Sequence, residues 1–318
     1  MPGPVSITPW HWAGFIFVIL IFLALDLGVF HRRARTIPIQ EALGWSVVWF
    51  LLALFFAGAL DFWRGPDDAL QFLTAYLIES SLSLDNLFAI ALLFAAFGVV
   101  PAQQYRVLYW GIAGAMLMRG LLIGAGAALL HSFHWLLFVM GAFLVVTGLR
   151  WAFSPQHAVQ PDQNLIVRAV RKIFPVSDQF DGPKFLTIMN GRRALTPLAL
   201  VLLAVETTDL VFAADSIPAI FAVTQNAFLV FTSNMLAILG LRSLYFVLAG
   251  AMQHFRYLRI GLAAVLVLIG VKMLAARWYQ APAGVSLAIM AALLALSIGG
   301  SLLAGRRQQN KTKIAPNA

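Results

Sequence analysis

Six side chains with hard oxygen donors stand inside two apolar stretches long enough to cross a membrane. Glu79, Asp85 and Asn86 lie in one, and Glu206, Asp209 and Asp215 in the other. An acid at the centre of a spanning helix costs about 2.5–3.5 kcal/mol on insertion scales, so such residues are functional by default. The second stretch, Pro197 to Val223, reads PLALVLLAVETTDLVFAADSIPAIFAV. Pro218 follows its last acid, lacks the amide that would bond to the carbonyl of Ala214, and crowds that turn. The expectation is a spanning helix that breaks beside its carboxylates, a common construction for a cation site within a bilayer.

The donor set narrows the ion. The chain has no cysteine, and no histidine falls within a span. Carboxylate and amide oxygens suit Mg²⁺, Ca²⁺ and Mn²⁺ rather than Zn²⁺ or Cu⁺. The spans hold the acids Asp26, Glu79, Asp85, Glu206, Asp209 and Asp215 against the bases Arg119, Arg242 and Lys272. A divalent ion plus a proton would roughly offset that difference. Arg119 and Arg242 are read as structural counter-ions, because a guanidinium has no lone pair to offer a metal. Asp26, near the end of the first span, is a candidate second site. Crowded carboxylates favour taking up a proton when no cation is bound, so proton antiport is the working hypothesis for coupling.

The two acid-bearing stretches resemble each other. Glu79-Ser-Ser matches Glu206-Thr-Thr, and Asp85-Asn-Leu-Phe-Ala-Ile matches Asp215-Ser-Ile-Pro-Ala-Ile. One span later each copy is followed by an arginine, in Leu117-Met-Arg119-Gly-Leu and Gly240-Leu-Arg242-Ser-Leu. At about 100° per residue, Glu79 and Asn86 share a helix face, as do Glu206 and Asp209. Asp215 would face about 180° from Glu206 on an unbroken helix, so the break at Pro218 is expected to swing it inward.

The elements that carry these residues follow from composition. The 318 residues are 61% hydrophobic and only 11% charged, where a soluble chain has about 25% charged residues. This indicates an all-α, polytopic helical membrane protein forming a single transmembrane domain over residues 1–318. About nine spans are expected: 12–30, 43–60, 70–97, 107–130, 135–153, 197–223, 229–250, 260–276 and 285–304. Arginines and lysines concentrate in alternate loops, including Arg32, Arg33 and Arg35, Arg168 to Lys172, Arg192 and Arg193, and the tail from Arg306. That asymmetry orients the chain N-out and C-in across the cell inner (plasma) membrane. The net charge of +9 is thereby assigned to cytoplasmic loops rather than to nucleic-acid binding. With the third span running inward and the sixth outward, repeat one (about 70–153) and repeat two (about 197–276) form an inverted three-plus-three pair. The cytoplasmic segment 154–196 joins them, and helices at about 12–60 and 285–304 flank them. Within that segment Leu165, Ile166, Ala169, Val170, Ile173 and Phe174 recur with helical period between basic residues, as an interfacial helix requires. Asn190-Gly191 suits a tight hairpin turn. Gly111, Gly114, Gly124 and Gly126 are read as close-packing positions.

ESSLSLDNLFAI (79–90), TPLALVLLAVETTDLVFAADSIPAIFAVT (196–224), TSNMLAILGLRSLYFVLAG (232–250) and the loop FPVSDQFDGPKF (174–185) together resemble the TerC family of integral membrane proteins. Ala213-Ala214 before Asp215 departs slightly from that family's usual Ala-Val. The resemblance implies a link to tellurium resistance by name, pH- and manganese-responsive members, kinship with LysE-type exporters, and manganese export from the cytoplasm. It assigns Glu79, Asp85, Glu206, Asp209 and Asp215 to a metal site, to which helix geometry adds Asn86.

The expected function is therefore export of divalent cations, Mn²⁺ foremost, with Ca²⁺ or Mg²⁺ sharing the same ligand chemistry. The ion is cargo, and no covalently bound cofactor is expected. The expected partners are the ion, protons and the bilayer. The alternative is a non-transporting membrane partner in metal or tellurite stress resistance or in membrane-protein assembly. An aspartyl-protease dyad fits poorly, since no Gly-x-Gly-Asp context is present, so no enzymatic activity is expected. Oxyanion transport fits poorly too, because an acidic pocket repels anions.

Overall fold

The computed structural model describes residues 7–25, 38–133, 135–153, 165–177, 179–189, 191–251, 258–275, 285 and 288–301. They form α1 (Pro9–Leu25), α2 (Ile39–Arg64), α3 (Pro66–Phe97), α4 (Pro101–Ser132), α5 (Leu136–Phe153) and α6 (Leu165–Ile173). A hairpin of β1 (Leu186–Met189) and β2 (Arg192–Leu195) follows, then α7 (Pro197–Phe221), α8 (Ala227–Ala251) and α9 (Leu258–Ala275). The last helix is α10 (Ala288–Ser301). Five helices, α2, α3, α4, α7 and α8, contain stretches long and apolar enough to cross a membrane, and α1, α5, α9 and α10 contain shorter apolar ones. The fold is that of an all-α polytopic membrane protein. Asp26 lies outside the described residues.

Local chemistry sets the helix ends. Proline occupies the first turn of α3, α4 and α7, where its fixed φ suits a helix and its missing amide has no intrahelical partner to lose. Thr196 caps α7 by accepting the Ala199 amide at 3.4 Å. Gly98 closes α3 with a left-handed φ of 66°, a conformation glycine adopts without a Cβ clash. α3 has 32 residues, about 48 Å of helix, so it outruns a hydrocarbon core of about 30 Å unless it tilts or projects.

Three pairings build the bundle. α3 packs on α8, α4 on α7, and α5 on α9, while α3 also meets α7 and α4 also meets α8. Glu79 meets Asn234 and Phe94 meets Tyr245, so α3 and α8 run parallel. Gly111 faces Val205 and Gly126 faces Phe221, so α4 and α7 run parallel as well. α5 and α9 are antiparallel and close: a Cβ added at Gly148 would lie 2.8 Å from the Ala263 carbonyl oxygen, and one at Gly270 would lie 2.6 Å from that of Gly141. Small residues permit such backbone approach where lipid provides no hydrophobic drive between helices. Exchanging α3, α4 and α5 with α7, α8 and α9 leaves these pairings unchanged. Gly124, expected at a packing contact, instead faces open space.

α8 is the most enclosed of the five long helices, whereas α2 and α4 turn most of their apolar surface outward. Phe55, Phe62, Leu117, Leu121, Val146 and Val211 are among the large exposed apolar side chains. Such a skirt is what a lipid environment covers. Inside, hydroxyl groups are satisfied along their own helices: Ser81 bonds to the Leu77 carbonyl, Thr208 to Ala204, and Thr232 to Phe228. Away from water each would otherwise be left unpaired at a cost.

The segment between α5 and α7 forms the expected short helix, but Ala169, Ile173 and Phe174 of its apolar stripe are exposed. α6 buries Val167 and exposes Arg168, Arg171, Lys172 and Ile173. In the hairpin Met189 pairs with Arg192 across the two-residue turn, and Gly191 has a φ of 77°. The strands are tied to the helices. Gln103 at the start of α4 donates to the Gly182 carbonyl at 2.8 Å. Thr196 at the start of α7 donates to the Lys184 carbonyl at 2.7 Å.

α7 contradicts one expectation. It is continuous from Pro197 to Phe221, through Asp215 and Pro218. Pro218 removes a single bond in the last turn, and the helix ends three residues later. A proline so near a helix end disturbs too little downstream structure to break the spanning segment. α3 is likewise helical throughout.

Candidate ion site

Arg119, fully buried on α4, is the hub. Its Nη1 pairs with Glu79 Oε1 on α3 and reaches Ser216 Oγ on α7 at 3.5 Å. Its Nη2 donates to Asp209 Oδ1 at 2.7 Å, and its Nε to Asp209 Oδ2 at 3.1 Å. The guanidinium thus grips Asp209 with two parallel bonds, the fork geometry that makes arginine–carboxylate pairs strong and directional. Asn86, oriented so that both amide atoms are satisfied, accepts from Arg119 Nη2 at 3.1 Å and donates to the Leu82 carbonyl at 3.2 Å.

Helix geometry brings these groups together. Glu79 and Asn86 share a face of α3, and Asp209 and Ser216 share a face of α7, each pair being two turns apart. Because α3 and α7 are in contact, with Asn86 at the level of Asp209, the two faces enclose the arginine of α4. Glu79 is held further by Ser83 Oγ at 3.2 Å and by Asn234 Nδ2 of α8 at 3.0 Å. Asn234 is fully buried, and its Oδ1 meets no donor among the described residues.

Glu206 is different. It shares a face with Asp209 and lies within its electrostatic reach, but Arg119 does not bind it. Its carboxylate packs against the bare Cα of Gly114 on α4, where an added Cβ would overlap it. Its Oε2 is buried without a hydrogen-bond partner among the described residues. Such an oxygen is costly to leave unmade and is an available ligand position.

Asp215 turns elsewhere. With α7 unbroken it does not swing toward Glu206. It lies instead on the side of Thr147 of α5, as the roughly half-turn offset from Glu206 dictates. Asp85 lies in α3, but its side chain is outside the described set. Arg242 on α8 donates to Tyr105 Oη at 3.3 Å and stacks over that ring at 5.1 Å. Of the two arginines, Arg119 is the one seen to bind acids named as site residues. Among the described residues no three acidic or histidine side chains converge; Glu79 and Asp209 are instead joined through a cation belonging to the protein. The sequence reading missed Asn234, Ser216 and Thr147. Their only signal was a polar side chain in an apolar run, as in FLVFTSNMLAIL.

A family model described as "Integral membrane protein TerC family" matches residues 64–313. An "Uncharacterized membrane protein STKORF319" of Myxococcus xanthus is 48% identical over 310 residues, covering 97% of each chain. A "Putative membrane-bound redox modulator Alx" of Escherichia coli (strain K12) is 43% identical over 301 residues, covering 91% of this chain and 93% of that one. An "Uncharacterized membrane protein" of Rickettsia bellii is 35% identical over 292 residues, covering 92% and 97% respectively. No solved structure gives a significant match.

Proposed function

The chain belongs to the TerC family of integral membrane proteins, and on that premise we propose that it exports divalent cations, Mn²⁺ foremost, from the cytoplasm across the inner membrane. The observation that carries this reading is the set of buried oxygen donors on α3, α7 and α8. Glu79, Asn86, Asp209 and Ser216 surround one cationic group, while Glu206 Oε2, on the face of α7 that carries Asp209, and Asn234 Oδ1, beside Glu79, meet no donor among the described residues. Carboxylate, amide and hydroxyl oxygens are the ligands of Mn²⁺, Mg²⁺ and Ca²⁺. Asp85 and Asp215 complete the acidic set in this reading, and Asp26 is its candidate second site. The relatives' word "redox" favours Mn²⁺ within that group. This chain has no cysteine, so a redox influence would run through a redox-active cargo rather than through its own thiols. Proton antiport remains the proposed coupling.

The test is uptake into reconstituted vesicles with Mn²⁺, Mg²⁺ or Ca²⁺ outside, with and without an imposed pH gradient. Mn²⁺ accumulation by the wild type and its loss in Glu206→Gln support export. Equal accumulation by a folded Glu206→Gln protein overturns the assignment, and indifference to the pH gradient overturns the coupling. A second reading, a non-transporting partner in stress resistance or membrane-protein assembly, draws on the neutralisation of Glu79 and Asp209 by Arg119. It predicts that wild-type vesicles accumulate no cation while the protein co-purifies with another membrane component.

A further inference from the structure

We propose that Arg119 is a tethered cation that fills the ligand set of the empty carrier and is displaced from it by a divalent cargo. The inference rests on the cation-export reading above and assigns that site its gate and its preference for doubly charged ions.

Arg119 is bound by five oxygens: Glu79 Oε1, Asp209 Oδ1, Asp209 Oδ2, Asn86 Oδ1 and Ser216 Oγ. They come from two helices that face each other across the bundle, so the guanidinium does for these oxygens what a coordinated ion would do. All are the hard donors that a divalent ion takes, usually six to eight at a time for Ca²⁺ and about six for Mg²⁺. Two further buried oxygens have no donor among the described residues, Asn234 Oδ1 and Glu206 Oε2. Asn234 already touches Glu79 through its other amide atom. Glu79 Oε2, engaged by Asn234 rather than by Arg119, is thus an oxygen beside the site that the guanidinium does not use.

Charge decides what can displace it. Two carboxylates around one guanidinium leave one negative charge; a divalent ion between the same two leaves none there, and the guanidinium it displaces keeps its own positive charge. A monovalent ion offers no gain in charge over Arg119 and would have to replace five oriented hydrogen-bond contacts. A divalent ion doubles the attraction in a medium where Coulomb terms are least screened. The tether also has a kinetic consequence. An emptied site bearing two bare carboxylates would be held back by their desolvation. With Arg119 returning to them, the unloaded carrier can reset.

The full-length protein and its Arg119→Gln and Arg119→Lys variants are purified, their melting followed, and Mn²⁺ binding measured by titration calorimetry. Each is then reconstituted for two flux measurements: net efflux into Mn²⁺-free medium, and exchange with Mn²⁺ on both sides. Arg119→Gln is expected to bind Mn²⁺ at least tenfold more tightly, to retain exchange, and to lose net efflux by tenfold or more. Arg119→Lys keeps the charge but cannot form the fork with Asp209. It is expected to bind more tightly than the wild type and less tightly than Arg119→Gln, and it keeps the test decisive if the glutamine variant does not fold. Weaker or unchanged Mn²⁺ binding in Arg119→Lys overturns the proposal, as does a parallel loss of exchange and net efflux in a folded Arg119→Gln protein. Displacement of bound Mn²⁺ by millimolar Na⁺ or K⁺ overturns the selectivity argument. A wild type that neither binds nor moves Mn²⁺, Mg²⁺ or Ca²⁺ overturns both this inference and the export reading, an outcome distinct from all the others.

Discussion

Glu79 and Glu206 occupy corresponding places in the two halves of the chain, yet their surroundings are opposite. Both follow an apolar run and precede two hydroxyl residues. Glu79 is fully buried and saturated by Arg119, Asn234 and Ser83. Glu206 sits against Gly114 with one buried oxygen unpaired. Where α8 offers Asn234 to the first glutamate, α4 offers the second only a glycine. One copy of the motif is paired in this structure and the other has a buried oxygen with no partner among the described residues. Near-symmetric helix packing thus carries an asymmetric distribution of hydrogen-bond donors, and the asymmetry is where chemistry can occur.

Deleting each acid in turn is the strongest way to break this contrast. Glu79→Ala strands half of Arg119's pairing and the Asn234 amide, so it should destabilise the protein by about 3–5 kcal/mol, the usual result of unpairing a buried charge. Glu206→Gln should leave stability within about 0.5 kcal/mol, because little is lost there, while abolishing cation uptake. Denaturant or thermal unfolding in detergent, beside vesicle uptake, measures both. Equal destabilisation by the two changes would dissolve the distinction. Asn234→Ala sharpens it from the other helix. It removes a hydrogen bond to a charged group, so a loss of about 1.5–3 kcal/mol is expected. Gly114→Ala acts on the open copy alone. Its methyl group would displace the Glu206 carboxylate at a cost of about 1–3 kcal/mol for overpacking. Combining it with Glu206→Asp, one methylene shorter, should recover part of that loss, and a double-mutant cycle on unfolding would show the coupling.

The smallest effect lies in solvent and serves as the contrast to all of these. Asp181, between α6 and β1, is held below the ordinary carboxylate range first by a hydrogen bond from Thr187 and then by one from Lys184. A lowered folded value means that its contribution is intact above the unfolded pKa, and is lost as pH falls through the folded one. At neutral pH no change is expected. An NMR titration of the Asp181 carboxyl should show a midpoint below that of a model peptide, moving back toward it in Thr187→Val.

Much of this was legible in the sequence. Hydropathy located each apolar helix to within a few residues, because lipid imposes the same requirement on every span. The helical period of α6 and the glycine at 191 are local signals: the helix forms, and Gly191 takes a positive φ, while Asn190 lies outside the described residues. The acids were equally plain, since charge in an apolar run is conspicuous. Their partners were less so. Arg119 was read as a counter-ion, but its place between Glu79 and Asp209 depends on how α3, α4 and α7 are arranged, which no spacing within one helix reports. Asn234 and Gly114, which separate the two glutamates, are unremarkable in their own segments. Pro218 misled because its effect depends on distance from the helix end, and Phe221 closes α7 within a turn of it.

The hairpin between α6 and α7 has a mechanical consequence. Gln103 fastens the turn leading into it, at Gly182, to the first turn of α4, and Thr196, the cap of α7, holds the Lys184 carbonyl just before β1, while Arg106 lies over the Phe185 ring at 5.2 Å. α4 carries Arg119 and α7 carries Asp209, so the hairpin and the turn leading into it yoke together the N-terminal ends of the two helices that hold the pair. A yoke passes torque and resists splaying. Any opening of the bundle at this end is then left to the seam on which α3 and α8 meet.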